Sequence, residues 1–187
     1  MAVAHDGQVC GQCLLHPPRW AGALALGDYR FPNDRFILRM KFGAEPALGR
    51  WFGDLLGARW AQGDMPLPDH ILPIPLSRER LLERGFNPAW EIARRIAATL
   101  NRPGDAYALQ GLRHSAAQSS LPLHARSRNI RGAYACDTRW DGQTLLLVDD
   151  VMTSGATLHE ATRVLLRQGA AAVWVAIALR TPRDSNP

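Results

Sequence analysis

Thr144-Leu145-Leu146-Leu147-Val148 is a short, almost wholly apolar run that ends on two adjacent acids, Asp149 and Asp150. A run of this length without alternation reads as a strand buried on both faces, the kind found where helices cover a parallel sheet. Behind it Leu158, Ala161, Val164 and Leu165 recur at helical spacing as far as Gly169, and Ala171 to Leu179 is a second apolar strand. Residues 144–179 therefore form a β-α-β unit, which sets the fold class as α/β, a mostly parallel sheet flanked by helices.

The rest of the chain fits around that unit. Residues 21–29 read as a first strand or a leading loop. Phe36, Ile37 and Met40, then Leu48, Trp51, Phe52, Leu55 and Leu56, mark two amphipathic helices. His70 to Pro75 is a buried strand running into a proline-closed loop, and Pro88 opens a helix whose apolar face carries Ile92, Ala93, Ile96, Ala97 and Leu100. Residues 111–132 are polar and arginine-rich without a clean period, as in a mobile surface loop with room for a short helix.

A chain of 187 residues holds one such domain with a small appendage, here residues 1–20 as an N-terminal tail and 21–187 as the main domain. Hydrophobic residues at 47% and charged residues at 21% exclude bulk disorder. The longest apolar stretch, Ala170 to Leu179, is too short to span a bilayer, and the N-terminus lacks a secretory pattern, so no membrane insertion is expected. With three cysteines one stays unpaired, and Cys10-Gly11-Gln12-Cys13 reads as metal or redox chemistry, which points to a reducing cytoplasm. The net charge is +5, and Lys41 is the only lysine among 22 basic residues. Arginine suits bidentate contacts to phosphate, but charge by itself names no partner.

The segment Asp149-Asp150-Val151-Met152-Thr153-Ser154-Gly155-Ala156-Thr157 lies where ligands bind in open α/β sheets, at the carboxyl end of a strand and the start of a helix. Thr153 and Ser154 bring hydroxyls, Gly155 allows close backbone approach, and the free N–H groups from Ser154 to Thr157 converge at the positive end of a helix dipole. That is a phosphate cradle. Carboxylates aimed at a phosphate would repel it, so the acid pair should face sugar hydroxyls or a hydrated divalent metal.

At these residues the chain resembles the type I phosphoribosyltransferases: an apolar strand, two acids, two variable residues, then Thr/Ser-Thr/Ser-Gly-x-Thr. Leu147 to Thr157 matches at every position. The resemblance implies that Asp149 and Asp150 hold the ribose 2- and 3-hydroxyls of phosphoribosyl pyrophosphate, with magnesium reached through ligand or water. It implies also that Thr153, Ser154, Gly155, Ala156 and Thr157 hold the 5-phosphate. Leu38 to Gly43, Ile74 to Ser77, Glu83-Arg84-Gly85-Phe86-Asn87, and Arg113 with Gln118, Leu121, Arg126, Asn129 and Gly132 are similar to one branch, the competence protein F (ComF) or GntX-like family. The likeness runs from about Cys10 to Arg180 and implies a type I phosphoribosyltransferase fold with a small N-terminal hood. Members of that family open with two Cys-x-x-Cys pairs that form a zinc ribbon. Here Cys10 and Cys13 make a single pair, so four-ligand zinc cannot close as in the family. The segment reads as a degenerate zinc-ribbon remnant or a truncated start, completion by His5 and His16 being strained.

By the same resemblance Pro73-Ile74-Pro75 occupies the pyrophosphate loop, where backbone amides would face the leaving group. From the residues alone a strained peptide bond and a plain proline-closed strand end fit equally. Arg84 follows that loop, and Arg113, Arg126, Arg128 and Arg131 populate the counterpart of the lid over pyrophosphate, with Arg84 and Arg126 the first candidates for a catalytic charge clamp. Thr153 stands where 6-oxopurine salvage enzymes carry an Asp, which argues against hypoxanthine or guanine, and the absence of an N-terminal cysteine nucleophile argues against glutamine use. Trp51, Phe52 and Trp60 in the hood either stack a base or fill the core. The implied function is a magnesium-dependent phosphoribosyltransferase linked to DNA uptake in natural transformation or to nucleotide metabolism. The alternative is a non-catalytic module that senses nucleotides or handles single-stranded DNA beside a helicase-like competence protein.

Overall fold

The computed structural model describes residue 15, residues 17–112 and residues 131–182. In chain order the elements are β1 (Gly22–Asp28), α1 (Asp34–Phe42), α2 (Pro46–Gln62), β2 (His70–Pro73), α3 (Arg78–Arg84), α4 (Pro88–Leu100), β3 (Gln110–Gly111), β4 (Tyr134–Ala135), β5 (Thr144–Met152), α5 (Ala156–Arg167) and β6 (Ala172–Arg180). Four strands form a sheet in the order β1-β6-β5-β2, every pair parallel. β3 and β4 make a separate antiparallel pair.

The sheet is buried on both faces, as the unbroken apolar run of β5 requires. Leu145 and Leu147 pack with Leu158, Ala161 and Leu165 of α5, while Leu146 and Val148 pack with Ile37 and Met40 of α1, Leu56 and Trp60 of α2, and Ile92 and Ile96 of α4. Period-2 alternation along one strand thus splits its side chains between two cores. Removal of each such leucine from water stabilises the fold by about 1.5–3 kcal/mol.

On one face α2 and α4 approach closely because α2 presents Gly49, Gly53 and Gly57 at four-residue spacing. A Cβ on Gly53 would lie 2.5 Å from the Ile92 carbonyl oxygen and 2.6 Å from Arg95 Cβ, and a Cβ on Gly57 would lie 2.8 Å from Thr99 Cβ. Asn87 caps α4, accepting the Ala89 N–H at 3.0 Å, and Pro88 occupies the first helical turn. Phe52 and Trp60 are buried core residues, whereas Trp51 is 46% exposed and packs at a tilt between Phe36 and Phe52. Cys136 is buried, its sulfur accepting the Trp140 indole N–H at 3.3 Å.

Two features depart from the sequence reading, and a third bears on an alternative that it left open. β5 runs on to Met152, so the acid pair lies inside the strand rather than after it. Residues 78–84 form a helix that periodicity does not reveal, since it buries no residue and leaves Leu81 and Leu82 exposed. Among the described residues the cis peptide bond is Phe31–Pro32, so the strained bond considered for Pro73-Ile74-Pro75 is not found there.

Candidate functional site

Asp149 and Asp150 end the central part of β5. Asp150 is 7% exposed and its Oδ2 meets Lys41 Nζ of α1 at 2.9 Å. Its backbone N–H donates to Asp149 Oδ1 at 2.8 Å. Burial, and then the neighbouring Asp150 charge, raise the Asp149 carboxyl well above the usual carboxylate range, with that backbone hydrogen bond and Lys41 opposing the shift. Two acids this close hold their negative charge poorly, so they call for hydroxyl donors or a cation.

The chain then turns. Thr153 and Ser154 are exposed, and Gly155 adopts φ +76° as it starts α5. A left-handed residue at this point turns the following N–H groups outward, and a side chain there would be strained. Ser154 Oγ accepts the Ala156 N–H at 3.4 Å, a long bond that leaves the first turn of α5 open to an external acceptor.

Two residues that sequence reasoning passes over support this turn. Trp20, 7% exposed, lies beneath it: a Cβ on Gly155 would come 3.2 Å from Trp20 Cη2, and the indole meets His159 of α5 edge-on with centroids 6.2 Å apart. Tyr134 of β4 is half-buried near the acids, its phenol pushed up to about 12 by burial and then by the Asp149 charge.

Ile74 and Pro75 continue β2 beside the acids. The Ile74 N–H donates to the Val148 carbonyl at 2.8 Å and its own carbonyl accepts from Asn87 Nδ2 at 3.0 Å, while Pro73 and Pro75 have no N–H. Backbone amides in Pro73-Ile74-Pro75 are thus unavailable to a ligand, a correction to the sequence reading. Arg84 closes α3 with its guanidinium carbon 5.3 Å from the centre of the Phe42 ring, next in sequence to Lys41. Arg84 is therefore brought to the hood helix that carries Lys41.

With this geometry in place, the phosphoribosyl transferase domain model matches residues 81–187, more than half the chain. The chain belongs to that family. Within it, the relatives are competence and DNA-utilization proteins. The chain is 32% identical over 186 residues to the DNA utilization protein YhgH of Escherichia coli, covering 97% of this chain and 82% of the relative. It is 29% identical to competence protein F of Haemophilus influenzae over 90% of this chain and 76% of the relative. It is 36% identical to competence protein ComFC of Bacillus subtilis over 54% of this chain and 40% of the relative. The chain is thus of the ComF branch of the phosphoribosyltransferase superfamily, with the type I fold.

The candidate site gathers Asp149, Asp150, the Thr153–Thr157 turn, Lys41, Trp20 and Tyr134 at one end of the sheet. Arg113, Arg126 and Arg128 lie outside the described residues, as do Cys10, Cys13, His5 and His16. Arg131 is described and exposed. Among the described residues no helix is long and apolar enough to cross a membrane.

The donor set bears on magnesium. No three His, Cys, Asp or Glu side chains cluster as a metal cage among the described residues. Asp149 and Asp150 are the residues that would hold a hydrated magnesium ion, a hard cation that takes one or two carboxylates together with substrate phosphates.

Proposed function

We propose that the chain binds phosphoribosyl pyrophosphate, or a nucleotide of the same ribose-5-phosphate chemistry, together with magnesium. The observation that carries this reading is the junction itself: an acid pair in β5, Asp149 half-buried and Asp150 buried, then a left-handed glycine at the open N-terminus of α5. The turn Thr153–Thr157 would receive the 5-phosphate through N–H and hydroxyl donors. Asp149 and Asp150 would accept the ribose 2- and 3-hydroxyls. Arg84 would supply positive charge on the pyrophosphate side.

The reaction suited to this arrangement is glycosyl transfer. A nucleophile's lone pair forms a bond to the anomeric carbon while the carbon–oxygen bond to pyrophosphate breaks and its electron pair departs with the leaving group. Magnesium, when bound, would neutralise the charge that gathers on pyrophosphate. The protein's own part is to fix the sugar by its two ends. The names of the relatives, DNA utilization and competence proteins, support a link to DNA uptake or nucleotide metabolism.

Calorimetric titration with phosphoribosyl pyrophosphate and Mg²⁺, comparing the native chain with Asp149→Asn/Asp150→Asn, tests this reading. Saturable binding of about micromolar affinity is expected for the native chain. In the double variant it should vanish. A native chain that folds and shows no heat would overturn the proposal and leave a DNA-handling module as the function to pursue.

A further inference from the structure

Lys41 is the only lysine among 22 basic residues, and it is the one placed against the acid pair. It stands in the last turn of α1, a helix anchored by Ile37 and Met40, both fully buried. The following residue, Phe42, carries the Arg84 guanidinium on its ring. The ammonium is therefore delivered by a fixed element, and it retains little freedom, with the side chain 20% exposed against 11% for Asp150.

Charge type matters here. An ammonium is a compact point charge, and it contacts the Oδ2 oxygen of Asp150 at 2.9 Å. An arginine fork would engage both carboxylate oxygens and leave less acceptor capacity on each for a sugar hydroxyl or a cation. Lysine balances the acid pair and leaves acceptor capacity in place.

We propose that Lys41 is the resident counter-ion of Asp149 and Asp150, and that it excludes a free divalent cation from the pair until phosphate oxygens arrive with the cation. The inference rests on the reading of the junction as a magnesium and phosphoribosyl pyrophosphate site. Electrostatics gives the reason. With Lys41 in place a lone divalent ion at the pair meets a positive charge a few ångströms away, whereas an ion that comes bound to pyrophosphate brings compensating negative charge of its own. The site then takes metal and ligand together, and a bare metal poorly.

Mn²⁺ alone, followed by calorimetry and by the loss of its free-ion paramagnetic resonance signal, is the probe. Lys41→Met on the full chain should bind Mn²⁺ at least about tenfold more tightly than the native chain, since one unit charge at close range is removed. Lys41→Arg should bind Mn²⁺ no better than native and should weaken phosphoribosyl pyrophosphate binding, because its fork holds both oxygens. The gain in Lys41→Met should disappear when Asp150→Asn is added. Lys41→Gln repeats the test with a polar neutral side chain, and acetylation of the folded native chain, whose sole side-chain amine is Lys41, removes the charge without passing through folding. Unchanged Mn²⁺ affinity in the folded neutral variants and the acetylated chain, or a gain that survives Asp150→Asn, would overturn the inference. Failure of the native chain to bind phosphoribosyl pyrophosphate with Mg²⁺ is a separate result. It would remove the reading of the site while leaving the Mn²⁺ comparison as measured.

Discussion

Gly155 shows how a single residue sets the site. Its φ of +76° and its contact distance of 3.2 Å from a built Cβ to Trp20 leave no room for a side chain in relaxed geometry. Gly155→Ala is expected to lower stability by about 1–2 kcal/mol, the cost of a left-handed alanine. Urea unfolding followed by tryptophan emission would read both the loss and the displacement of Trp20. The contiguous residues Asp149 to Thr157 are legible in the sequence because one strand-to-helix junction carries them all. Lys41, Tyr134 and Trp20 are not, since each reaches the junction from a distant element and nothing local in its neighbourhood points there. For Lys41 one signal does exist: a chain that otherwise uses arginine has a lysine at one position.

At the scale of elements, the packing of α2 on α4 makes the sign of a glycine substitution unusual. In an exposed helix, glycine to alanine stabilises by roughly 0.5–1 kcal/mol. At Gly53 the new Cβ would meet the backbone of α4 at 2.5 Å, and a carbonyl oxygen inside a helix has nowhere to move. Gly53→Ala is therefore expected to destabilise by about 1–3 kcal/mol, the range for overpacking. A fall in the urea midpoint at unchanged slope would show it, and a rise would mean that α2 slides freely on α4. The long apolar helices and strands are readable from periodicity alone. α3 is not, because Arg78–Arg84 buries none of its residues and the hydrophobic signal on which such reading depends is missing. The carboxyl end of β5 reads short in the sequence because acids usually mark the end of a strand, whereas here Asp149 pairs in register with Ile177.

Across the whole molecule, Glu160 joins parts that the sequence keeps far apart. Its buried carboxylate accepts the Gly132 N–H at 2.6 Å and both Nε and Nη2 of Arg163 at 2.7 and 2.6 Å, tying α5 to the segment that leads into β4. The Arg163 hydrogen bonds, opposed by burial and aided by Gly132, hold its pKa down to about 2 from 4.5. A folded value below the unfolded one contributes stability that is complete above pH 4.5 and is lost as the pH falls toward about 2. Glu160→Gln should cost about 1–3 kcal/mol at neutral pH. Unfolding curves for the two proteins should draw together as the medium is acidified through that window, and a gap independent of pH would show that the contact is steric. The strand order has another consequence, one for how the chain comes into being. β6 lies between β1 and β5, so Gly22 finds its strand neighbour in Trp174, close to the end of the described chain. A polypeptide still being synthesised can join β2 to β5, but β1 has to wait for β6. Such long-range pairing slows folding and leaves an apolar edge uncovered in the interval. Assembly of the four-stranded sheet around the acid pair is therefore deferred until β6 has left the ribosome.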